Sequence, residues 1–271
     1  IKNVFKIKNK YFAYVAYRKK DCALISIFSY PEGENLIDFP CLPGKLEQFD
    51  LNGSGGAFVN FNNQNLLTTG TPSKQIDPVR ILAQKDDSPY GKVLKIYFNK
   101  NNKINYEVFS KGHRNPQGIM TNYNTIFSVE HGPRGGDEIN IIKENKNYAW
   151  PINSLGSHYN FEKISKEGLS NEDIFEGPLF SFLPSIGISS IEKCPKEYAE
   201  YYVPLKCVAV GSMRAKSIFL ILIDKNLSKV MSYEKIELPS RIRKFKFNDN
   251  QLIAGTDYEG VIIGKLNLWT E

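Results

Sequence analysis

The sequence predicts an all-β fold and, within that class, a β-propeller of four-stranded antiparallel blades. Aromatic residues make up 13% and hydrophobic residues 41% of the 271 residues, which suits a large strand-rich core. Short β-rich runs recur with turn residues between them, and little of the chain looks helical. A strand, a polar turn and a second strand follow each other in residues 56–69, 118–130 and 242–255. This internal repeat favours a propeller over a sandwich or a barrel.

The first strands are predicted where β-branched and aromatic residues dominate a short run. These runs are residues 11–17, 23–30, 56–61, 65–69, 93–98, 119–130 and 138–142. Segments 50–53, 99–102 and 122–124 supply turns, because Asn, Asp and Gly accept the backbone conformations that tight turns require.

The remaining strands follow the same rule. They are residues 207–211, 218–223, 244–247, 251–254 and 260–266. Residues 164–176 suit a short helix or a long loop. The apolar run 217–223 is far shorter than the roughly 18 residues of a membrane-spanning helix, so it predicts a buried strand. No linker rich in Pro, Gly and Ser divides the chain, and we predict one propeller domain over residues 1–271 with no membrane span.

The charge distribution argues against one class of partner. Lys and Arg number 35 against 29 Asp and Glu, which gives a net charge of +6. The excess is spread along the chain, and its densest cluster is the short segment 241–246. Nucleic-acid-binding proteins usually gather their positive charge on one stripe or tail. We therefore predict no nucleic-acid partner, whereas small anionic ligands remain open.

The four cysteines fall into two local couples, Cys22 with Cys41 and Cys194 with Cys207. Neither couple has the short spacing of a zinc site, and no histidine lies near them. Two short-loop disulfides are predicted, with four buried free thiols as the alternative. Disulfides imply an oxidising compartment, so we expect a periplasmic or secreted protein.

The most informative segment is Gly-His-Arg-Asn-Pro-Gln-Gly at residues 112–118. Arg114, Asn115 and Gln117 place a guanidinium and two amides within four positions around a rigid proline. Several convergent donors on a stiff loop suit a planar, anionic ligand that is rich in carbonyl groups. Taken alone, the segment is equally consistent with a polar turn.

Two further segments follow at short distance. Residues 130–138 read Glu-His-Gly-Pro-Arg-Gly-Gly-Asp-Glu, and residues 147–151 read Asn-Tyr-Ala-Trp-Pro. Gly132 and Pro133 offer backbone carbonyls without a bulky side chain, which suits a hard cation such as calcium. The order and spacing of the three segments together predict a ligand site.

The three segments closely resemble the motifs of soluble aldose (glucose/sorbosone) dehydrogenases that use pyrroloquinoline quinone (PQQ). In that family they read His-Arg-Asn-Pro-Gln-Gly, Glu-His-Gly-Pro-Arg-Gly-Gly-Asp-Glu and Asn-Tyr-Gly-Trp-Pro, and Ala149 replaces the glycine of the last motif. Weaker likenesses extend the resemblance over roughly residues 11–266. Family members are six-bladed and carry about one blade before the position that matches Tyr11. The resemblance therefore implies an open or five-bladed ring here.

The resemblance also implies a role for each matching residue. The residues that would line the quinone or pair with its carboxylates are Arg114, Asn115, Gln117, Arg214, Arg241 and Arg243. Gly132 and Pro133 would give backbone oxygens to a calcium ion that also binds the quinone. Glu138 and the backbone of Tyr148 would hold a second, structural calcium. Arg214 replaces a family lysine and keeps its charge but not its shape.

Two positions depart from the family pattern. A family His-x-Gly-Gly segment supplies the general base, and a Thr-Gly-Asp segment supplies the carboxylate that orients it. Gly53 stands in place of the histidine and Thr71 in place of the aspartate. Loss of a general base costs about 10²- to 10⁴-fold in rate. His113 and His131 are ordinary family residues and His158 lies in a predicted loop, so none of them obviously substitutes.

The resemblance implies a PQQ-dependent sugar dehydrogenase, which oxidises an aldose by hydride transfer to the quinone and serves an external electron acceptor. The first alternative is a catalytically inactive propeller that retains a quinone- or calcium-binding site. A propeller lactonase with a central metal is a weaker alternative, because we find no suitable inward carboxylates and asparagines. The cofactor motifs favour the dehydrogenase, and the missing dyad favours the inactive propeller.

Overall fold

The computed structural model describes residues 1–73, 77–157, 163–165 and 175–267. The chain forms two compact units. The first unit consists of Ile1–Gln117, Ile142–Ser154 and Lys163–Gly177. The second unit consists of Gly118–Ile141, Leu155–Glu162 and Pro178–Glu271.

Two sheets form most of the first unit. The first contains β1 (Asn3–Ile7), β2 (Lys10–Lys19), β3 (Cys22–Tyr30) and β4 (Asn35–Asp38) in that order. The second contains β5 (Gly55–Phe61), β6 (Gln64–Thr69), β7 (Lys92–Phe98) and β8 (Ile104–Lys111), with the short strand β12 (Lys146–Asn147) parallel to β8. Asn62 and Asn63 join β5 to β6 with φ angles of 48° and 62°, the conformation that a two-residue hairpin favours.

Three sheets belong mainly to the second unit. The first contains β9 (Pro116–Asn122), β10 (Thr125–Glu130), β11 (Asp137–Ile142) and β15 (Phe180–Phe182). The second contains β16 (Ile188–Lys193), β17 (Lys206–Ser212), β18 (Ser217–Ile223) and β19 (Val230–Glu237). The third contains β20 (Ile242–Asn248), β21 (Gln251–Thr256) and β22 (Val261–Lys265).

Small elements complete the described chain. Strands β13 (Asn153–Ser157) and β14 (Lys163–Ser165) pair with each other. The helices are α1 (Asp77–Arg80) and α2 (Lys196–Tyr201), and 3-10 turns cover Leu46–Gln48, Leu51–Gly53 and Ile81–Ala83. Within the predicted helix or loop 164–176, the first two residues belong to β14, and residues 166–174 lie outside the described part.

The buried strand predicted at 217–223 is confirmed, and packing explains it. Every residue of β18 is buried, because both faces of the strand are covered. Phe219 and Ile221 pack in one apolar cluster, whereas Ile218 and Leu220 pack in another on the opposite face. A strand covered on both faces reads as a continuous apolar run instead of an alternating one.

Both predicted disulfides form. The Cα atoms of Cys22 and Cys41 are 5.4 Å apart, and those of Cys194 and Cys207 are 5.8 Å apart. Cys22 lies in β3 of the first unit, and Cys207 lies in β17 of the second. Each disulfide therefore closes a short loop onto a strand of its own unit.

The all-β prediction is confirmed, and five antiparallel sheets have the strand order of propeller blades. The four-stranded prediction is wrong for the sheet that β12 extends and for the three-stranded sheet of β20–β22 among the described residues. The sixth blade, the missing amino-terminal blade and the single domain over residues 1–271 stay predictions. No helix among the described residues is long and apolar enough to cross a membrane.

Candidate functional site

Two guanidinium groups in the first unit share one aromatic ring. The Cζ atom of Arg114 lies 5.4 Å from the centre of the Trp150 ring, and that of Arg80 lies 5.9 Å from the same centre. Cations over an indole are attracted by the negative face of the ring. The sequence singled out Arg114 but missed Arg80, because Arg80 lies outside the three quoted segments. The described structure thus adds a second cation to this part of the site.

Asn115 and Gln117 are coupled to each other and to the start of β5. The side-chain oxygen of Asn115 accepts hydrogen bonds from the Gln117 amide (2.6 Å) and from the Gly55 backbone N–H (3.1 Å). Asn115 is 8% exposed. Asn115 is therefore held in place by these bonds and orients the Gln117 amide.

The two positions that depart from the family pattern lie side by side. Thr71 is buried, and its backbone N–H and hydroxyl both donate to the Arg114 carbonyl, at 2.8 and 3.2 Å. The Trp150 indole N–H donates to the Thr71 hydroxyl at 3.1 Å. A Cβ atom on Gly53 would lie 3.6 Å from the Thr71 carbonyl oxygen, an ordinary van der Waals contact. A side chain at position 53 would therefore start next to residue 71.

The two histidines of the described part of the chain lie in different surroundings. His113 is fully buried, its Nε2 lies 2.9 Å from the Ser110 hydroxyl, and its ring stacks on Tyr148 at 4.6 Å. The His131 Nδ1 lies 3.9 Å from a carboxylate oxygen of Asp137. His158 lies outside the described residues. His113 is thus a packed core residue and not a residue open to a substrate.

A buried lysine fixes the turn that follows Arg80. Lys92 has no exposed surface, and its Nζ donates to the carbonyls of Leu82 (2.7 Å), Ala83 (3.0 Å) and Tyr90 (2.8 Å). Burial, and next the nearby Lys111, lower the pKa of Lys92 to about 7. Three carbonyl acceptors match the three donors of an ammonium group. Lys92 therefore anchors the 3-10 turn Ile81–Ala83 to the start of β7.

The side chain of Gln84 holds the segment that carries Trp150. Its amide nitrogen donates to the Trp150 carbonyl (2.6 Å) and to the Asn147 side-chain oxygen (3.1 Å). The Asn147 amide donates back to Gln84 at 2.7 Å. These bonds tie the backbone of Trp150 to Gln84, the residue that follows the 3-10 turn Ile81–Ala83. The position of the ring that Arg80 and Arg114 share therefore depends on that turn.

In the second unit, Asp137 joins two loops. One of its carboxylate oxygens accepts from the Gly132 N–H at 3.1 Å. The other accepts from the N–H groups of Gly187 (2.7 Å) and Ile188 (3.0 Å). The side chain is 1% exposed, so these bonds replace water. Asp137 therefore positions the predicted calcium-binding loop, a role that sequence reasoning missed.

The loop at Gly132 is rich in carbonyl oxygens. A Cβ atom on Gly132 would lie 2.2 Å from the Gly135 oxygen and 2.3 Å from the Gly136 oxygen, so only glycine fits. Hard cations prefer such oxygen donors. Among the described residues, no group of three or more His, Cys, Asp or Glu side chains is placed to hold a metal. A cation at Gly132 and Pro133 would therefore depend on backbone oxygens.

The carboxylates of Glu130 and Glu138 share one donor, the Asn140 amide. The Asn140 amide donates to Glu130 (3.0 Å) and to Glu138 (3.1 Å). Burial, and next the charge of Glu130, raise the pKa of Glu138 to about 8. The buried side-chain oxygen of Asn140 has no hydrogen-bond partner in the described structure. The predicted partner of Glu138, the backbone of Tyr148, belongs to the first unit, where its N–H donates to the Lys111 carbonyl.

Two of the three predicted cofactor arginines of the second unit, Arg241 and Arg243, share one carboxylate. Arg241 and Arg243 both donate to Asp257, the former at 2.8 Å and the latter through two bonds. A terminal nitrogen of Arg241 lies 3.8 Å from the Met213 sulfur, next in sequence to Arg214. No partner of the Arg214 side chain is present among the described residues. Arg241, Arg243 and Asp257 together carry one net positive charge, and Arg214 adds a second.

A family model described as glucose/sorbosone dehydrogenase matches residues 8–263. The aldose sugar dehydrogenase YliI of Escherichia coli is 35% identical over 146 residues, which cover 51% of this chain and 37% of that protein. The alignments to this relative and to another curated relative span about a third of their lengths.

Solved structures show the same fold. A crystal structure of glucose dehydrogenase has a TM-score of 0.74 at 23% identity and covers 96% of this chain and 79% of that one. The PQQ-bound aldose sugar dehydrogenase of Streptomyces coelicolor has a TM-score of 0.61 at 18% identity, with 91% and 69% covered. These likenesses support the propeller prediction.

Proposed function

Because the chain belongs to the glucose/sorbosone dehydrogenase family, we propose that it binds PQQ and oxidises a sugar by hydride transfer to the quinone. One observation carries the proposal. Thr71 bonds to the Arg114 carbonyl and to the Trp150 indole, so the predicted cofactor loop adjoins the positions of the family's base dyad. One propeller domain over residues 1–271 is part of the same proposal.

The residues present fit an anionic quinone. PQQ carries carboxylates, and guanidinium groups bind carboxylates with two parallel hydrogen bonds. Arg114 with Asn115 and Gln117 would line the quinone from the first unit. Arg214, Arg241 and Arg243 of the second unit would pair with its carboxylates, which is supported by the excess of positive charge around Asp257.

The residues also fit calcium. The carbonyl oxygens around Gly132 and Pro133 would hold the ion that binds with the quinone, since calcium prefers oxygen ligands. Glu138, with the backbone of Tyr148, would hold a structural calcium. The unpaired Asn140 oxygen and the two converging carboxylates support a cation beside Glu138. A bound cation would remove the repulsion between Glu130 and Glu138.

The residues of this chain determine how fast the reaction runs. PQQ, when bound, supplies the two-electron acceptor. Gly53 has no side chain to take the hydroxyl proton of the sugar, and the Thr71 hydroxyl already donates to the Arg114 carbonyl. Water is then the base of the proposed reaction, without a matched pKa or a fixed position. We expect turnover about 10²- to 10⁴-fold below that of a relative with the dyad.

The proposal includes a place and a partner. Two disulfides support a periplasmic or secreted protein, because such bonds persist in oxidising compartments. An external electron acceptor would reoxidise the quinone after each turnover. A sugar is the proposed substrate, and no nucleic acid is involved.

Titration with PQQ in the presence and absence of calcium tests the binding step. We expect saturable binding that calcium strengthens, and Arg114→Ala should weaken it about 10- to 100-fold through loss of charge-assisted hydrogen bonds. The exposed Arg18, changed to Gln, is the matched control and should leave binding unchanged. Absence of saturable binding with calcium present would overturn the proposal. Dye reduction with several aldoses then measures turnover.

A further inference from the structure

A cleft of 460 Å³ opens in the second unit beside Arg214. Strand β15 and the connection to β16 form one wall, and β18, β19 and the turn before β18 form the other. Its volume falls within the range of small-molecule sites. All lining residues belong to the second unit. The resemblance assigned only Arg214 among them.

Four aromatic rings line the cleft in a closed circuit of contacts. Phe180 meets Phe182 at 4.9 Å, Phe182 meets Phe219 at 5.4 Å, Phe219 meets Tyr233 at 5.7 Å, and Tyr233 returns to Phe180 at 6.4 Å. Tyr233 is half exposed. Such a surface suits the apolar face of a ring-shaped ligand, because aromatic faces attract C–H groups.

Three polar groups that line the cleft lack hydrogen-bond partners among the described residues. Arg214 is exposed, and no partner of its side chain is present among the described residues. The hydroxyl oxygens of Ser181 and Ser185 are buried and have no hydrogen-bond partner in the described structure. The exposed guanidinium of Arg214 is therefore the polar group on which the proposal rests.

We propose that this cleft binds a cyclic sugar acid of the hexuronate class. Its carboxylate would pair with Arg214, and its C–H face would lie against the aromatic rings. A neutral sugar leaves the guanidinium without an anion, and an open-chain acid offers no ring face to the aromatic side chains. A guanidinium has five N–H donors, so the proposed role of Arg214 toward the quinone is compatible with this one.

Calorimetric titration of the quinone-free protein tests the inference independently of the proposed function. The probes are galacturonate (a cyclic acid), galactose (a neutral ring) and gluconate (an open-chain acid). We expect galacturonate to bind at least about tenfold more tightly than either of the others, since a charge-assisted pair is worth about that factor. Failure of PQQ to bind in the titration above would not change this expectation.

Variants identify the groups that contribute. Arg214→Gln should weaken galacturonate binding at least about tenfold and leave galactose unaffected, while the control Arg18→Gln changes neither. Tyr233→Ala should weaken galacturonate binding about threefold or more, and the exposed Tyr258→Ala is its control. Equal affinities for galacturonate and galactose, no binding of galacturonate, or an Arg214→Gln variant equal to its control would each overturn the proposal.

Discussion

Restoring the dyad is the sharpest test of the proposed chemistry. The change is Gly53→His together with Thr71→Asp. A Cβ atom at position 53 would meet the Pro72 Cα at 3.4 Å and the Thr71 oxygen at 3.6 Å, so a side chain enters without a clash. An aspartate at 71 keeps the hydrogen bond from the Trp150 indole but loses the one that Thr71 donates to Arg114. Loss of that bond should cost about 1–2 kcal/mol of stability.

A positioned base lowers the barrier by about 2.7–5.5 kcal/mol, because each tenfold gain in rate corresponds to about 1.36 kcal/mol. We therefore expect the double variant, loaded with PQQ and calcium, to reduce dye with an aldose about 10²- to 10⁴-fold faster than the unmodified chain. Gly53→His alone should gain less, because the second residue fixes the imidazole tautomer.

Gly53→Gln with Thr71→Asp is the matched control, since glutamine fills similar space but takes no proton at neutral pH. Its rate should stay at that of the unmodified chain. Equal turnover by the unmodified chain and the histidine variant, with quinone bound to both, would refute the assignment of these two positions. Rapid turnover by the unmodified chain would refute the claim that it lacks a base.

Three further changes test the supports of the site. Replacing Cys194 and Cys207 by serine should lower the free energy of unfolding in urea by about 3 kcal/mol, as closure of a short loop predicts; a loss below about 1 kcal/mol would contradict this. Asp137→Asn should cost about 2–4 kcal/mol, because an amide cannot accept at both positions from three N–H groups; unchanged melting would count against its anchoring role. The pKa of Lys92 is lower in the folded state than the ordinary value of 10.5, so the unfolded chain binds more protons between about pH 7 and 10.5. The free energy of unfolding should therefore rise with pH across that window. Lys92→Met should abolish this pH dependence and lower the free energy of unfolding by about 2 kcal/mol, because three buried carbonyls lose their donor.

Several strands with buried faces were predicted from the sequence, although the buried strand β16 was missed. The run at 218–223 matches β18, and the turn residues at 122–124 separate β9 from β10, where Tyr123 and Asn124 both have positive φ. Local chemistry suffices in these cases, because an apolar run or a turn residue reports directly on burial or on backbone conformation.

Strands with one solvent-facing side were harder to predict. β1 and β19 were missed because charged and polar residues interrupt their apolar positions, and six of the eight residues of β19 are exposed. Such strands form because they pair with a neighbour, as β19 does along the whole of β18. Tertiary pairing overrides weak local propensity in these places.

The candidate site divides in the same way. Motif letters identified Arg114 and Gly132, because loop residues that hold a ligand sit in short contiguous segments. They did not identify Arg80, whose partner Trp150 lies 70 residues away. They also did not identify Asp257 as the partner of Arg241 and Arg243, which precede it by 16 and 14 residues. Long-range partners leave no signal in a single sequence.

Backbone contacts hold the two positions of the family's dyad together in the first unit. The Gly70 N–H donates to the Ser54 carbonyl, and the Thr71 N–H donates to the Arg114 carbonyl. A Cβ atom on Gly70 would lie 2.1 Å from the Gly53 oxygen, so the two segments are in direct backbone contact. None of these contacts uses a side chain of residue 53. The frame that would carry a base is therefore fixed by backbone hydrogen bonds, and two side chains are the expected difference between slow and rapid sugar oxidation.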